Sequence, residues 1–141
     1  MARADSKLEM LQAVSLFASM RRKDLESLAR LADTIDVPAG KTLMREGDHG
    51  NEMFVVVAGS VEVERGGRRV TKLGPGEAVG EMALLSEGPR NATVTTLEPT
   101  TVIAIQHREF HTLMEDSAEL RTCILDNVAK WVRNLDDAGA H

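Results

Sequence analysis

The chain has 141 residues, 43% of them hydrophobic and 28% charged, with a net charge of −5 at pH 7. That length holds one domain with a sizeable core, and the composition is ordinary for a soluble globular protein. The acidic balance argues against nucleic acid as a partner, because phosphate backbones ask for a basic face, and no apolar run nears the roughly 18 residues of a membrane span.

The N-terminal "MARADSKLEMLQAVSLF" has acids among its first ten residues and no cleavage-site pattern, so no signal peptide is expected. Cys123 is the only cysteine. An internal disulfide is therefore impossible, and a reducing, cytoplasmic compartment fits best.

Residues 8–32 read as helix, with Leu8, Leu11, Leu16, Leu25, Leu28 and Leu31 carrying the apolar spacing. A break is expected at "FASMRR" (17–22), and Pro38 and Gly40 in "IDVPAGK" place the helix end near Asp33. From Ile35 to Gln106 the chain becomes short strand-like runs punctuated by glycine. "MFVVVA" (53–58) reads as a buried strand and "SVEVER" (60–65) as a half-buried one. The "GG" at 66–67 predicts a hairpin turn. "NATVTT" (91–96) and "TTVIAIQ" (100–106) predict two more strands.

Helical spacing returns after Gln106 with Phe110, Leu113, Met114, Leu120, Ile124, Leu125, Val128 and Trp131, and Ser117 is placed to cap a second helix there. The closing "DDAGAH" predicts a frayed tail. The expected fold is α+β: an antiparallel, jelly-roll-like β roll (34–106) flanked by N-terminal helices (1–33) and C-terminal helices (107–135), as one domain over 1–141.

The segment "VGEMALLSEGPRNATV" (79–94) puts one acid, Glu81, and one base, Arg90, nine residues apart in a mostly apolar run that also carries Glu87. "GEMALL" reads as a turn and a half of helix entered from glycines. Free N–H groups at a helix start and their partial positive charge make a seat for a phosphate. Gly80 and Ala83 are small, and Ala92 keeps the facing strand thin. Arg90 adds a planar fork suited to phosphate oxygens, and Glu81 can accept from a sugar hydroxyl. Together they describe a ribose-phosphate clamp. The competing reading is a surface loop with an exposed Glu81–Arg90 pair worth under about 1 kcal/mol, and spacing alone does not separate the two.

The segment resembles the phosphate-binding cassette of the cyclic nucleotide-binding domain family, found in the catabolite activator, kinase regulatory subunits and cyclic nucleotide-gated channels. The family pattern is approximately Phe-Gly-Glu-(aliphatic)-Ala-Leu, a short loop, then Pro-Arg-Ala-Ala-Thr-Val. The nine-residue step from acid to arginine matches that of kinase regulatory subunits. Residues 37–63 are similar to the family's first strands, and "LQAVSLFASMRRKDLESLARL" to its N-terminal helices.

The resemblance implies that Glu81 holds the ribose 2′-hydroxyl and Arg90 the cyclic phosphate. Backbone N–H groups of Ala83 and Asn91 would complete the phosphate site, and Gly80 would let the sugar approach. Met82 and Ala92 complete the expected binding residues. Two positions depart from the pattern. Val79 replaces the usual phenylalanine, a change of packing, and Asn91 replaces the common alanine. A threonine at that second position tends to accompany cGMP binding in relatives, and asparagine offers both a donor and an acceptor. cAMP is favoured over cGMP.

In the family, the C-terminal helices swing over the roll and a side chain covers the base. Trp131 and Arg133 are the candidates, with Arg121 and Leu125 behind them, against a simple packing role for Trp131. The implied function is a cyclic nucleotide sensor that acts on an effector protein, with no nucleic-acid or membrane partner. The alternative is an interaction module of the same fold that has lost the ligand.

His107 and His111 stand four apart, a metal-ligand spacing, but no third ligand completes a site, so they read as solvated helix residues. A cupin-type enzyme would need histidines clustered on strands, and none of the four lies in a predicted strand. Asp48, His49 and Glu52 fall in a turn, and Cys123 reads as packing. No nucleophile has an oriented base, so no enzyme, cofactor or metal is expected.

Overall fold

A computed structural model describes residues 2–138, with side chains from 6 to 134. Helix α1 (Ala2–Gln12), a 3-10 turn (Ser15–Phe17) and α2 (Arg22–Leu31) come first. The strands follow: β1 (Asp33–Val37), β2 (Thr42–Met44), β3 (His49–Gly50), β4 (Glu52–Ala58), β5 (Val61–Arg65), β6 (Arg68–Leu73) and β7 (Ala78–Val79). After the short helix α3 (Met82–Leu85) come β8 (Gly88–Pro89), β9 (Thr93–Thr96) and β10 (Thr100–Gln106), then α4 (His107–Glu115) and α5 (Ala118–Ala138).

The strands pair antiparallel in two four-stranded sheets, β1-β10-β4-β7 and β2-β9-β5-β6, with a two-stranded ribbon of β3 and β8. This is the expected α+β roll between helices. The continuous apolar run of β4 has a simple cause, because both of its faces are covered. Phe54 and Val56 enter the core between the sheets with Val61, Val63, Val94 and Val102. Met53 and Val55 face the other way, into a second core with Leu11, Phe17, Leu28 and Phe110 of the helical segments. β10 repeats the alternation, with Val102 and Ala104 toward the roll and Ile103 and Ile105 toward the helices. A strand buried on both faces loses the polar alternation of a half-exposed one. Val79, at the departure from the family pattern, is buried opposite Phe54. The smaller side chain is thus accommodated in the roll core.

The break in the N-terminal helix falls at the 3-10 turn and the residues after it, where Ser19 has φ +64°. Lys7 of α1 closes the pair by donating from Nζ to the carbonyls of Ala29 (2.7 Å) and Ala32 (2.8 Å) at the end of α2, where carbonyls lack helical partners and a cation suits the helix dipole. Ser117 caps α5 as expected, its Oγ accepting from the N–H of Leu120 at 3.1 Å. The C-terminal expectation needs correction. α5 continues to Ala138, three residues beyond 135 and into the first three residues of the stretch read as a frayed tail, because Asp136, Asp137 and Ala138 contain no helix breaker. Residues 139–141 lie outside the described residues.

α5 is tied back to the N-terminal segment by a buried amide. Asn127 Nδ2 donates to the carbonyls of Leu16 (3.0 Å) and Ala18 (2.5 Å). Nearby, Arg21 donates to the buried Asp24 (3.1 Å) and pairs with Glu119 of α5. Replacing Asn127 by leucine takes that donor from the Leu16 carbonyl and leaves the Ala18 carbonyl only the Cys123 thiol, at 3.6 Å. The expected loss is about 2 kcal/mol, read as a fall of roughly 5–10 °C in the thermal midpoint. An unchanged midpoint would show that the amide does not hold α5 in place.

Candidate functional site

Arg90 is fixed from both sides of its backbone. The ribbon pairs His49 with Pro89 and Gly50 with Gly88. Arg90 then donates its N–H to the carbonyl of Asp48 (2.8 Å) and accepts from the N–H of Gly47 (2.8 Å). Its side chain lies in a slot that two glycines keep open. A Cβ at Gly50 would fall on the Nε, Cζ and Cδ atoms of Arg90. A Cβ at Gly80 would stand 2.9 Å from Arg90 Nη1 and 3.1 Å from the carbonyl oxygen of Glu52, and Gly80 also has φ +80°, a conformation that favours glycine.

At the end of this slot Arg90 Nη1 is buried without a hydrogen-bond partner among the described residues. Burial pulls the guanidinium below its ordinary pKa, and the charge of Glu52 partly offsets that. Arginine cannot shed its proton in a protein, and a buried donor left unpaired is costly and rare. The cleft beside it, about 310 Å³, is lined by Met44, Gly80, Met82, Ala83, Arg90 and Asn91 among others. A larger hollow of about 450 Å³ at Leu8, Glu9, Gln12, Arg22 and Leu25 shares none of these residues.

Glu81 stands at the start of α3 and makes no side-chain cap. Burial raises its carboxyl above the usual range, and a hydrogen bond to backbone lowers it by less. Glu81 and Arg90 form no ion pair among the described residues, so the exposed-pair reading fails. Arg90 borders the cleft and leaves a donor for an anionic oxygen there, whereas the desolvated Glu81 carboxyl is not among the residues that line it.

The remaining expected residues divide. Met82 is 53% exposed over the cleft, and the Asn91 side chain is exposed at its edge. The backbone carbonyl of Asn91 accepts from Arg65 Nε at 3.0 Å. Ala92 lies 2% exposed in the roll core, where it packs behind the site and does not line it. The N–H of Ala83 donates to the carbonyl of Gly80 at 3.0 Å, closing the turn on itself. The expected base-covering residues are not assembled at the cleft. Arg121 donates to the carbonyls of Met114 (2.7 Å) and Glu115 (3.0 Å), Leu125 is 71% exposed, and neither they nor Trp131 and Arg133 line it.

Two histidine expectations are corrected. His49 does lie in a strand, β3, although that strand is only two residues long. His107 and His111 are not solvated. Both are half-buried, and their rings bond the carbonyls of Ala83 and Leu84. Gly50, Met44 and Glu52 also belong to the site and were not read from the sequence. The only signal for Gly50 was a glycine inside the polar turn "EGDHGNE".

The β roll leaves Arg90 Nη1 buried and without a partner among the described residues, beside a small cleft. Residues 34–117, more than half of the chain, match the cyclic nucleotide-binding domain, and the chain belongs to that family. The chain is 28% identical, over 126 residues, to the cAMP-dependent protein kinase regulatory subunit of Yarrowia lipolytica, covering 89% of this chain and 34% of that protein. Its fold overlays the N-terminal domain of a transcriptional regulator from Streptomyces coelicolor A3(2) with a TM-score of 0.83 at 28% identity, covering 94% of this chain and 96% of that one. It also overlays the regulatory domain of Toxoplasma gondii PKA, crystallised with cAMP, with a TM-score of 0.76 at 30% identity, covering 97% and 54%. The chain spans 31% to 37% of the length of the first curated relatives it matches. Among the described residues no helix is long and apolar enough to cross a membrane.

Burial of Glu81 gives a testable pH dependence. The folded state holds the Glu81 proton more tightly than the unfolded chain does, so ionising it disfavours folding. In the protein without ligand, Glu81→Gln should therefore raise the thermal midpoint at neutral pH. The gain should shrink as pH falls through the raised carboxyl range and vanish where wild type is protonated in both states. A gain independent of pH, or a loss at neutral pH, would refute the assignment.

Proposed function

We propose that this chain is a cyclic nucleotide sensor domain that takes cAMP in preference to cGMP and passes the binding event to an effector protein through α4 and α5. The observation that carries the reading is Arg90, whose buried Nη1 has no partner among the described residues and borders the cleft. A cyclic phosphate oxygen supplies the missing acceptor, in a charge-assisted bond of roughly 1.5–3 kcal/mol. Glu81 receives the ribose 2′-hydroxyl, which offers a donor to a desolvated carboxylate. Backbone N–H groups of Ala83 and Asn91 complete the phosphate site, and Gly80 admits the sugar. Met82 lies over the bound nucleotide, and Ala92 keeps the wall behind it thin.

Because the Ala83 N–H is bonded to Gly80, the phosphate must exchange that bond for its own. Binding therefore rearranges the turn 80–84, and the rearrangement is what α4 senses. Trp131 or Arg133 reaches the base once α5 moves over the roll. The preference for cAMP is supported by relatives whose names specify cAMP, and Asn91 is the position at which the base would be read.

A ligand-free interaction module of the same fold is the second reading. The buried Arg90 opposes it, because an apolar side chain would stabilise such a scaffold better than an unpaired cation.

Calorimetric titration with cAMP and cGMP tests the reading. Saturable binding of cAMP, tighter than cGMP, is expected, and no heat with either at millimolar concentration would refute it. Arg90→Ala should keep the fold and weaken binding at least about tenfold. Gly50→Ala should act through the same side chain, because the added methyl falls on Nε, Cζ and Cδ of Arg90 and expels the guanidinium from its slot. It should lower affinity comparably while Arg90 remains in the chain. Wild-type affinity in Gly50→Ala would show that the slot is not the binding position.

A further inference from the structure

The carbonyls of Ala83 and Leu84 belong to the last turn of α3, where a helix has no N–H of its own left to offer. Both are met by α4. His107 Nδ1 lies 2.8 Å from the oxygen of Ala83, and His111 Nε2 lies 2.9 Å from the oxygen of Leu84. A carbonyl oxygen only accepts, so each of those ring nitrogens must carry the hydrogen. The rings stack with centroids 4.1 Å apart, and Phe110 anchors the helix in the core against Phe17 and the edge of His111. The start of α4 is held from the other side as well. The His107 N–H donates to the carbonyl of Asn51 at 2.7 Å, the residue after the glycine that makes room for Arg90.

We infer that His107 and His111 are positioning residues of the nucleotide site. Two side-chain donors from α4 set the place of α3, and with it the place of Glu81 and the Ala83 N–H relative to Arg90. They also oblige α4 to follow α3 when a ligand rearranges the turn 80–84. Spacing of four puts both rings on one face of α4, and each serves a successive carbonyl, so the pair has a register that apolar packing lacks. A slide of α3 by one residue would break both bonds. The effect on affinity rests on the proposed cyclic nucleotide reading, whereas the latch exists without ligand.

The test uses amides that match or miss the two ring nitrogens. His107→Asn with His111→Gln keeps an N–H near each original position. The exchanged pair, His107→Gln with His111→Asn, carries the same groups at the wrong reach, and the double alanine variant has none. In the protein without ligand, amide hydrogen exchange is followed at Ala83, Leu84 and Ser86, whose N–H groups are bonded to Gly80, Glu81 and Met82. The alanine and exchanged pairs should exchange there roughly tenfold faster than wild type, and the matched pair within about twofold of it. Titration with cAMP should follow the same order, with roughly tenfold weaker binding in the alanine and exchanged pairs.

Unchanged exchange in the folded alanine variant overturns the inference. Equal loss in matched and exchanged pairs also overturns it, because packing rather than register would then be responsible. If the alanine variant does not fold, the matched and exchanged pairs decide. If wild type binds neither nucleotide, the proposed function falls and the exchange result still decides the latch.

Discussion

Everything at this site depends on keeping one nitrogen of a half-buried guanidinium, Arg90 Nη1, buried without a partner among the described residues. A fold selected for stability alone would pair that nitrogen or replace Arg90, because a buried donor left unsatisfied is costly. Several constraints instead converge to hold it there. The β3–β8 ribbon and the bonds to Gly47 and Asp48 fix its backbone. Gly50 and Gly80 leave the volume its side chain fills, and the charge of Glu52 offsets part of the desolvation. A side chain at either position would meet the cation, and at Gly80 the φ of +80° favours glycine as well.

Residues 50–52 join the site to the rest of the fold. Gly50 makes room for Arg90, the carbonyl of Asn51 takes the N–H of His107, and the carbonyl of Glu52 lies beneath Gly80. β4 begins at Glu52 and is covered on both faces. The cation, the entry to α3 and the start of α4 are therefore all referenced to one rigid strand. α5 is held separately, by Asn127 on the 3-10 segment and by Arg21 on Glu119. Any residue of α5 that covers the cleft must first leave the position those bonds impose. Under the proposed reading, their strength sets how much binding energy a movement of α5 requires.

The roll was legible in the sequence wherever burial leaves a period. β4 read as a buried strand from its continuous apolar run and β10 as a strand, the Gly66–Gly67 hairpin read from its turn residues, and the cassette read from its resemblance to the family pattern, spacing alone having left it open. What escaped was neighbourhood. Four-residue spacing says that His107 and His111 share a helix face, but not that the face meets the bare carbonyls of α3. Gly50 was hidden for a related reason, since a glycine among polar turn residues looks the same whether it shapes the turn or clears space for a distant side chain. Residues 136–138 were misread as part of a frayed terminus, although aspartate and alanine do not break a helix that is already propagating.

Glu81 does not line the Arg90 cleft, and its separation from Arg90 bears on which ligand serves both. Burial acts against the charged form of each, and direct pairing would have relieved both. Because they are not paired, a ligand that serves only one leaves the other desolvated. An inorganic anion satisfies Arg90 and does nothing for Glu81; a neutral nucleoside satisfies Glu81 and leaves the guanidinium bare. A molecule that carries an anionic oxygen and a hydroxyl donor on one rigid frame relieves both at once, with little conformational entropy to lose. Under the proposed reading, selectivity for a cyclic nucleotide over its fragments therefore arises before any contact with the base, from two charges that the fold keeps apart.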